Sequence, residues 1–438
     1  MTTPTNDLAR ARERLVELDR ERTELCRAIA ELEFAAGGPD VTTADGRVAL
    51  FTSLFRGRSD VFATRWESTK SPGKTGWAPR CLNEWRPGVC EKPKVKCADC
   101  GNRRFVAWSD AEARRHLEGR QTAGIYPLLA DETCWLVAID LDGPGWREDV
   151  GALRDSARDL HIPVLVERSR SGNGAHLWVL FSRPVTARVA RAVGSLLLTR
   201  AMSRRSISMA SYDRLFPNQD TMPAGGFGNL IALPLQHARR AEGCTVFLGE
   251  DFEPCPDQWI YLAGVQRLDG EQAERIAAEA ERAGGALGLP ERTVTKAPAR
   301  PRQLTPAPSS AIDICLTGRV EIPLAGMAPD LRDRLRRTAA FANPEFFERE
   351  RARLSTHKTP RVIACHEDTD DRLLLPRGCV DGVVNEIEAT GADLTIRDER
   401  SDGSPIAVTF AGTLTSPQQA AVKAMAAHET GVLVAPPG

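Results

Sequence analysis

Apolar positions in the first 35 residues recur at heptad spacing. Leu8, Ala11, Leu15, Leu18, Leu25, Ile29 and Leu32 share one seam, with Arg22 the polar exception. That pattern predicts a helix over 6–34, within an N-terminal segment 1–38 closed by Gly37, Gly38 and Pro39. The seam suits either a dimerising coiled coil or one amphipathic helix docked on its own domain. From residue 50 the period switches repeatedly. ALFTSLF reads as an apolar strand, 109–119 as a helix, CWLVAIDLD as a strand and 147–160 as a helix. VLVER and HLWVLF read as strands, 186–203 as a long helix ending in basic residues, and GNLIALPL as a strand. The order predicts an α+β domain over 50–265 with a mixed sheet. Residues 266–311 follow as a helix (270–284) and a linker rich in Pro, Ala, Ser and Thr (288–311). Residues 312–412 read as a small mixed module. It has a charged helical piece at 329–354 and strands in RVIACHE, LLLPRGCVDGVV, DLTIRD and IAVTFAG. Residues 413–438 read as helix, strand and turn.

The chemistry gathers at the end of one apolar run. In VAIDLDG a strand's period of two sends Asp140 and Asp142 to one face and Leu141 to the other. Two adjacent carboxylates repel unless a cation sits between them, and oxygen donors suit Mg²⁺ or Mn²⁺. Such a pair alone is common at solvated strand ends. About thirty residues on, VLVERSRSGNGAHLWVLF reads as strand, glycine turn and strand, with Gly172 and Gly174 making the turn and His176 beside it. Arg168 and Arg170 precede the turn, and guanidinium forks suit phosphates. A lone histidine in a hairpin is more often buried structure. Beside paired acids and two arginines, the functional reading is the better one.

Charge sharpens this picture. The chain's 438 residues carry a net charge of −1, yet residues 51–120 hold 15 Lys/Arg against 8 Asp/Glu and residues 161–215 hold 9 Arg against 2 acids. Local surpluses of this kind suit a polyanion such as nucleic acid. No apolar run reaches the ~20 residues of a membrane span and no signal peptide opens the chain, so a soluble cytoplasmic protein without membrane partners is expected. Eleven cysteines, an odd number, argue against a disulfide framework. Four of them, Cys81, Cys90, Cys97 and Cys100, fall within twenty residues and end in a C-x-x-C knuckle. They predict a structural Zn²⁺ module over 81–100 that displays Lys92, Lys94 and Lys96.

Together the four-cysteine segment, GIYPLL, the D-x-D, ERSRSGNGAHLW, SYDRLFPNQD and GGFGNLIALPLQ resemble the primase-polymerase domain of the TOTE conflict systems, a branch of the archaeo-eukaryotic primase superfamily. The resemblance implies an RRM-like catalytic sheet and metal-dependent transfer of nucleotides from NTPs or dNTPs to a primer or template-bound 3′-hydroxyl on DNA. It makes Asp140 and Asp142 metal ligands, and puts His176 on the incoming triphosphate. The third acid is Asp213, as the nearer to the expected strand, or Asp220. Arg168, Arg170 and the backbone amides of Ser171, Gly172, Asn173 and Gly174 would hold the triphosphate, while the zinc module and the 186–205 basic helix would grip the template. The last segment resembles the start of a superfamily-2 (DEAD/DEAH-like) helicase, with Gln418 in a Q-motif-like LTSPQQAAV and an APPG turn. The phosphate-loop lysine is not among these residues, so no ATPase activity is expected of them. They point to a helicase in cis beyond residue 438, flanked by 312–412. Two rival functions remain: a metal-dependent nuclease or phosphoesterase, and a non-catalytic DNA-binding module of a helicase.

Overall fold

The computed structural model describes residues 37–282 apart from 69, 70 and 72, then 285–287, 289, 311–428 apart from 402, and 432–435. It also describes isolated helical positions between 10 and 32. The rest of the N-terminal seam, nearly all of the linker and the final Pro-Pro-Gly lie outside the described residues. Two compact units emerge, Met1–Thr295 with Phe341–Ile363, and Lys296–Ala340 with Ala364–Gly438. The expected module 312–412 is therefore not continuous, because 341–363 packs with the first unit.

The first unit is built on two antiparallel sheets. One contains β1 (Ala63–Glu67), β2 (Thr75–Pro79), β3 (Ala123–Ile125) and β8 (Ile231–Ala232), in the order β2-β1-β3-β8. The other contains β4 (Thr133–Asp142), β5 (Leu165–Arg168), β6 (Gly174–Thr186) and β7 (Leu215–Phe216), in the order β5-β6-β4-β7. Helix α3 (Trp146–Asp159) joins β4 to β5, and α4 (Ala187–Met202) joins β6 to β7. This βαββαβ path with antiparallel strands is the split βαβ arrangement that the RRM-like expectation describes. β4 is buried along both faces, which is why its sequence is an unbroken apolar run up to Asp140. α4 lies on the Val137–Ile139–Leu141 side: a Cβ added at Gly194 would meet Leu215 Cδ2 at 2.9 Å and Val137 Cγ2 at 3.2 Å. Glycine there lets helix and sheet close. The opposite face is left to Ala138, Asp140 and Asp142.

The expected strand ALFTSLF is instead part of α1 (Ala44–Leu54). Thr43 caps it by accepting from the Gly46 amide, and the buried Val48, Phe51, Leu54 and Phe55 follow helical spacing. α2 (Asp110–Leu117) packs on α1. It buries His116, whose Nδ1 accepts from the Ala123 amide at 3.0 Å and whose Nε2 donates to the Pro234 carbonyl at 2.8 Å. Burial lowers this imidazole from 6.5 to about 4. The unfolded chain therefore takes up a proton that the folded chain refuses as pH falls from 6.5 to 4, and stability drops over that window. The loss approaches about 3 kcal/mol and stops below pH 4. Urea titrations should show this acid slope, with a shallower one in His116→Gln; equal slopes would assign it to other groups.

The helical piece expected over 329–354 is broken. α6 (Pro329–Thr338) ends before the short strand Ala340–Ala342, and α7 (Pro344–Arg351) starts afresh behind Asn343, whose side chain accepts from the Glu345 amide. Pro344 disfavours helix at the residue before it, so the break is local chemistry. Helix α5 (Gly270–Arg282) packs on α4 in the first unit.

In the second unit a five-stranded sheet buries Ile314, Val320, Ile322, Leu373 and Leu375 against α6 and α8 (Val380–Glu388). IAVTFAG forms no strand, and Ile406, Val408 and Phe410 are exposed. Gln418 has a structural role in α9 (Ser416–Ala426): its side chain accepts from the Thr415 amide at 2.9 Å and completes a capping box. Among the described residues no helix is long and apolar enough to cross a membrane.

Candidate active site

The turn between β5 and β6 is built by its own polar groups. The Ser169 amide donates to Gly174 O at 2.9 Å, the Gly172 amide to Ser169 O at 3.0 Å and the Asn173 amide to Ser171 Oγ at 3.2 Å. Gly172 has φ +79°, and a Cβ at Gly174 would meet Leu141 O at 2.4 Å and Asp142 Oδ1 at 2.8 Å. Only glycine lets the turn press against the D-x-D strand end.

Register then assembles a row across the sheet. Glu167 on β5 faces His176 on β6, His176 faces Asp140 on β4, and the Asp140 amide donates to Arg214 O just before β7. Directly opposed residues share a face, so four charged side chains converge. His176 Nδ1 donates to Glu167 Oε2 at 3.0 Å, and its Nε2 lies 3.6 Å from Asp140 Oδ1. Arg214 Nη1 pairs with Asp142 at 2.5 Å and lies 3.8 Å from Asp140. Burial alone would lower the His176 pKa, but Glu167, with Asp140 and Asp142 behind it, outweighs burial and the net shift is upward. Asp140 is pushed up by burial, with His176 and Arg214 opposing and Asp142 reinforcing. A partly buried carboxylate held above its ordinary range, beside a second anion, is a place where an added cation is stabilised.

The structure thus brings Asp140, Asp142 and His176 together. An open groove of about 560 Å³ joins Asp142 to Arg168, Ser171, Gly172 and Asn173, with Trp146 and Arg147 on its wall. The Gly172 and Asn173 amides are already used within the turn, so neither is free to donate into the groove. Arg170 does not line this groove. Its Nη1 is buried without a hydrogen-bond partner among the described residues, and burial, together with Arg65 and Arg239, lowers its pKa.

Neither proposed third acid joins the pair. Asp213 Oδ1 accepts from the Arg361 amide at 2.7 Å, and Asp220 pairs with Arg191 at 2.7 Å. The residue that reaches the pair is Arg214: one step along the strand reverses the face. The 186–205 helix is also less of a grip than expected. Arg191 is buried, and Arg188, Arg204 and Arg205 pair with Glu281, Asp159 and Asp149. Glu167 and Arg214 were not anticipated; the register of His176 with its neighbours is the signal that exposes them.

Among the described residues, no three His, Cys, Asp or Glu side chains are gathered tightly enough to hold a metal as they stand. Cys81, Cys90, Cys97 and Cys100 nevertheless line one cavity of about 20 Å³, and the Arg104 amide donates to Cys81 Sγ at 3.3 Å. Lys92 pairs with Glu84 at 2.8 Å rather than standing free.

No curated protein matches this chain. Among solved structures, the polymerase domain from Mycobacterium tuberculosis Ligase D in complex with DNA is similar at 16% identity. The match covers 57% of this chain and 92% of that one, with a TM-score of 0.26. The family model for the archaeo-eukaryotic primase domain of TOTE conflict systems matches residues 46–276, more than half of the chain, and takes in both sheets, the glycine turn and the acid pair. The chain belongs to the TOTE archaeo-eukaryotic primase family.

Proposed function

We propose that the first unit is a metal-dependent primase-polymerase, which transfers nucleotides from NTPs or dNTPs to a 3′-hydroxyl on a DNA template and works beside a helicase in cis. The observation that carries the reading is the one-face convergence of Asp140, Asp142 and His176 at the mouth of the Arg168–Ser171–Asn173 groove. Asp140 and Asp142 would hold Mg²⁺ or Mn²⁺: their oxygens suit hard cations, and Arg214 now supplies the countercharge. Such ions activate a hydroxyl and neutralise phosphate charge. In its imidazolium form, with Nδ1–H on Glu167, His176 points Nε2–H toward the acid pair and can donate to a phosphate oxygen there, while Arg168 and Arg147 line the groove that would take the triphosphate. Labelled nucleotides with primer-template and Mg²⁺ or Mn²⁺ test the proposal. Extension supports it; shortening of the primer identifies a nuclease instead, and no change at all leaves a binding module.

The four thiols would hold one structural Zn²⁺, a donor set that suits that ion. One zinc per chain is expected by elemental analysis, and it should be lost in Cys97→Ser/Cys100→Ser. A metal-free protein that folds normally would refute the zinc.

A further inference from the structure

We propose that Glu167 is the positioning residue for His176, a role that rests on the nucleotidyl-transfer reading above. The Glu167 carboxylate is 1% exposed, and an anion so placed is costly unless donors meet it. Two do, on the same oxygen: Oε2 accepts from His176 Nδ1 at 3.0 Å and from Trp178 Nε1 at 2.9 Å. The indole is packed in place. Trp178 is 0% exposed and meets the Phe55 ring edge-on at 5.2 Å. It therefore fixes where Oε2 sits, and Oε2 fixes the imidazole.

The consequence reaches the site. With the carboxylate at Nδ1, that nitrogen carries a proton, in the imidazolium as in the neutral ring, and Nε2 is the atom presented toward Asp140, 3.6 Å away. The other tautomer would set a lone pair against Glu167, and a flipped ring would set a C–H there. The strand ladder supports the same orientation, since Glu167, His176 and Asp140 stand opposite one another in register. A carboxylate behind a histidine is a general device for orienting the nitrogen that does the binding. Here the carboxylate sits two strands from the D-x-D and holds, on the strand between, the group that meets the nucleotide.

A simple core role for Glu167 would fasten Trp178 and leave nucleotide handling alone, so the test separates the two. Glu167→Gln keeps the shape and one carbonyl oxygen but lets the amide turn its NH₂ toward Nδ1. It is expected to raise the KM for nucleotides roughly tenfold with a smaller change in kcat, and to leave template affinity unchanged. In a His176→Ala background the same change should add nothing to KM, because the residue it positions is gone. Long-range ¹H–¹⁵N spectra of the wild-type protein should show the His176 proton on Nδ1, a readout that needs no variant to fold and no activity. A neutral Nε2–H tautomer in the wild type overturns the proposal, as does an additive effect in the double variant or an unchanged KM in Glu167→Gln. If the wild type extends no primer, the primase reading falls, and the spectra still decide whether Glu167 holds the ring.

Discussion

Asp140→Ala is expected to lower nucleotide incorporation by at least ~10²-fold, the scale on which loss of one positioned electrostatic group costs a reaction. Template binding should be almost unchanged. The reason lies in where the carboxylate sits. Asp140 is central in the Glu167–His176–Asp140–Arg214 row, partly buried and pushed toward protonation by that burial. Its removal takes away half of the proposed cation site and leaves Arg214 on Asp142 alone. Basic surface elsewhere in the unit is untouched, so fluorescence anisotropy with labelled primer-template should give a wild-type affinity. Incorporation at the wild-type rate would remove Asp140 from the chemistry.

Arg361→Ala is expected to destabilise the first unit by about 3–5 kcal/mol, the usual cost of removing one partner from a buried ionic cluster. Arg361 is 4% exposed and held well below its ordinary pKa by burial, with Arg191 beside it. Its guanidinium donates to Asn218 O at 3.1 Å and to Glu350 Oε1 at 3.4 Å, and that same Glu350 oxygen accepts from the Asp220 amide at 2.7 Å. The segment 341–363 thus fastens the loop that carries Arg214 to the catalytic strand. Equilibrium urea unfolding followed by tryptophan fluorescence measures the loss; a shift below ~0.5 kcal/mol would show that the cluster is decorative. The matched family region, 46–276, lacks this segment when expressed alone, so it should unfold at lower urea than a chain that includes residue 363.

The central sheet was legible because its signals are local. CWLVAIDLD and HLWVLF are short apolar runs beside a glycine turn, and a period of two was enough to place Asp140 and Asp142 on one face, with His176 beside the turn. What failed was long-range or register-dependent. β7 has only two residues, so nothing in SYDRLF fixed its phase, and Asp213 was preferred where Arg214 reaches the site. Glu167 lay inside an apolar run and reads as a solvated strand residue until its partner strand is known. ALFTSLF carries apolar residues at helical spacing as well as strand-like density, and the Thr43 cap decides between them. The role of 341–363 could not be read at all, since its partners stand some 130–148 residues away along the chain.

The most direct measurement is a crystal of the protein grown with Mn²⁺ and a non-hydrolysable nucleoside triphosphate, with manganese located by its anomalous scattering. The account predicts manganese held by Asp140 and Asp142, Arg214 moved off Asp142, and the triphosphate lying in the Arg168–Ser171–Asn173 groove within reach of His176 Nε2. Manganese bound elsewhere, with Arg214 still paired to Asp142 and the groove without nucleotide, would contradict it.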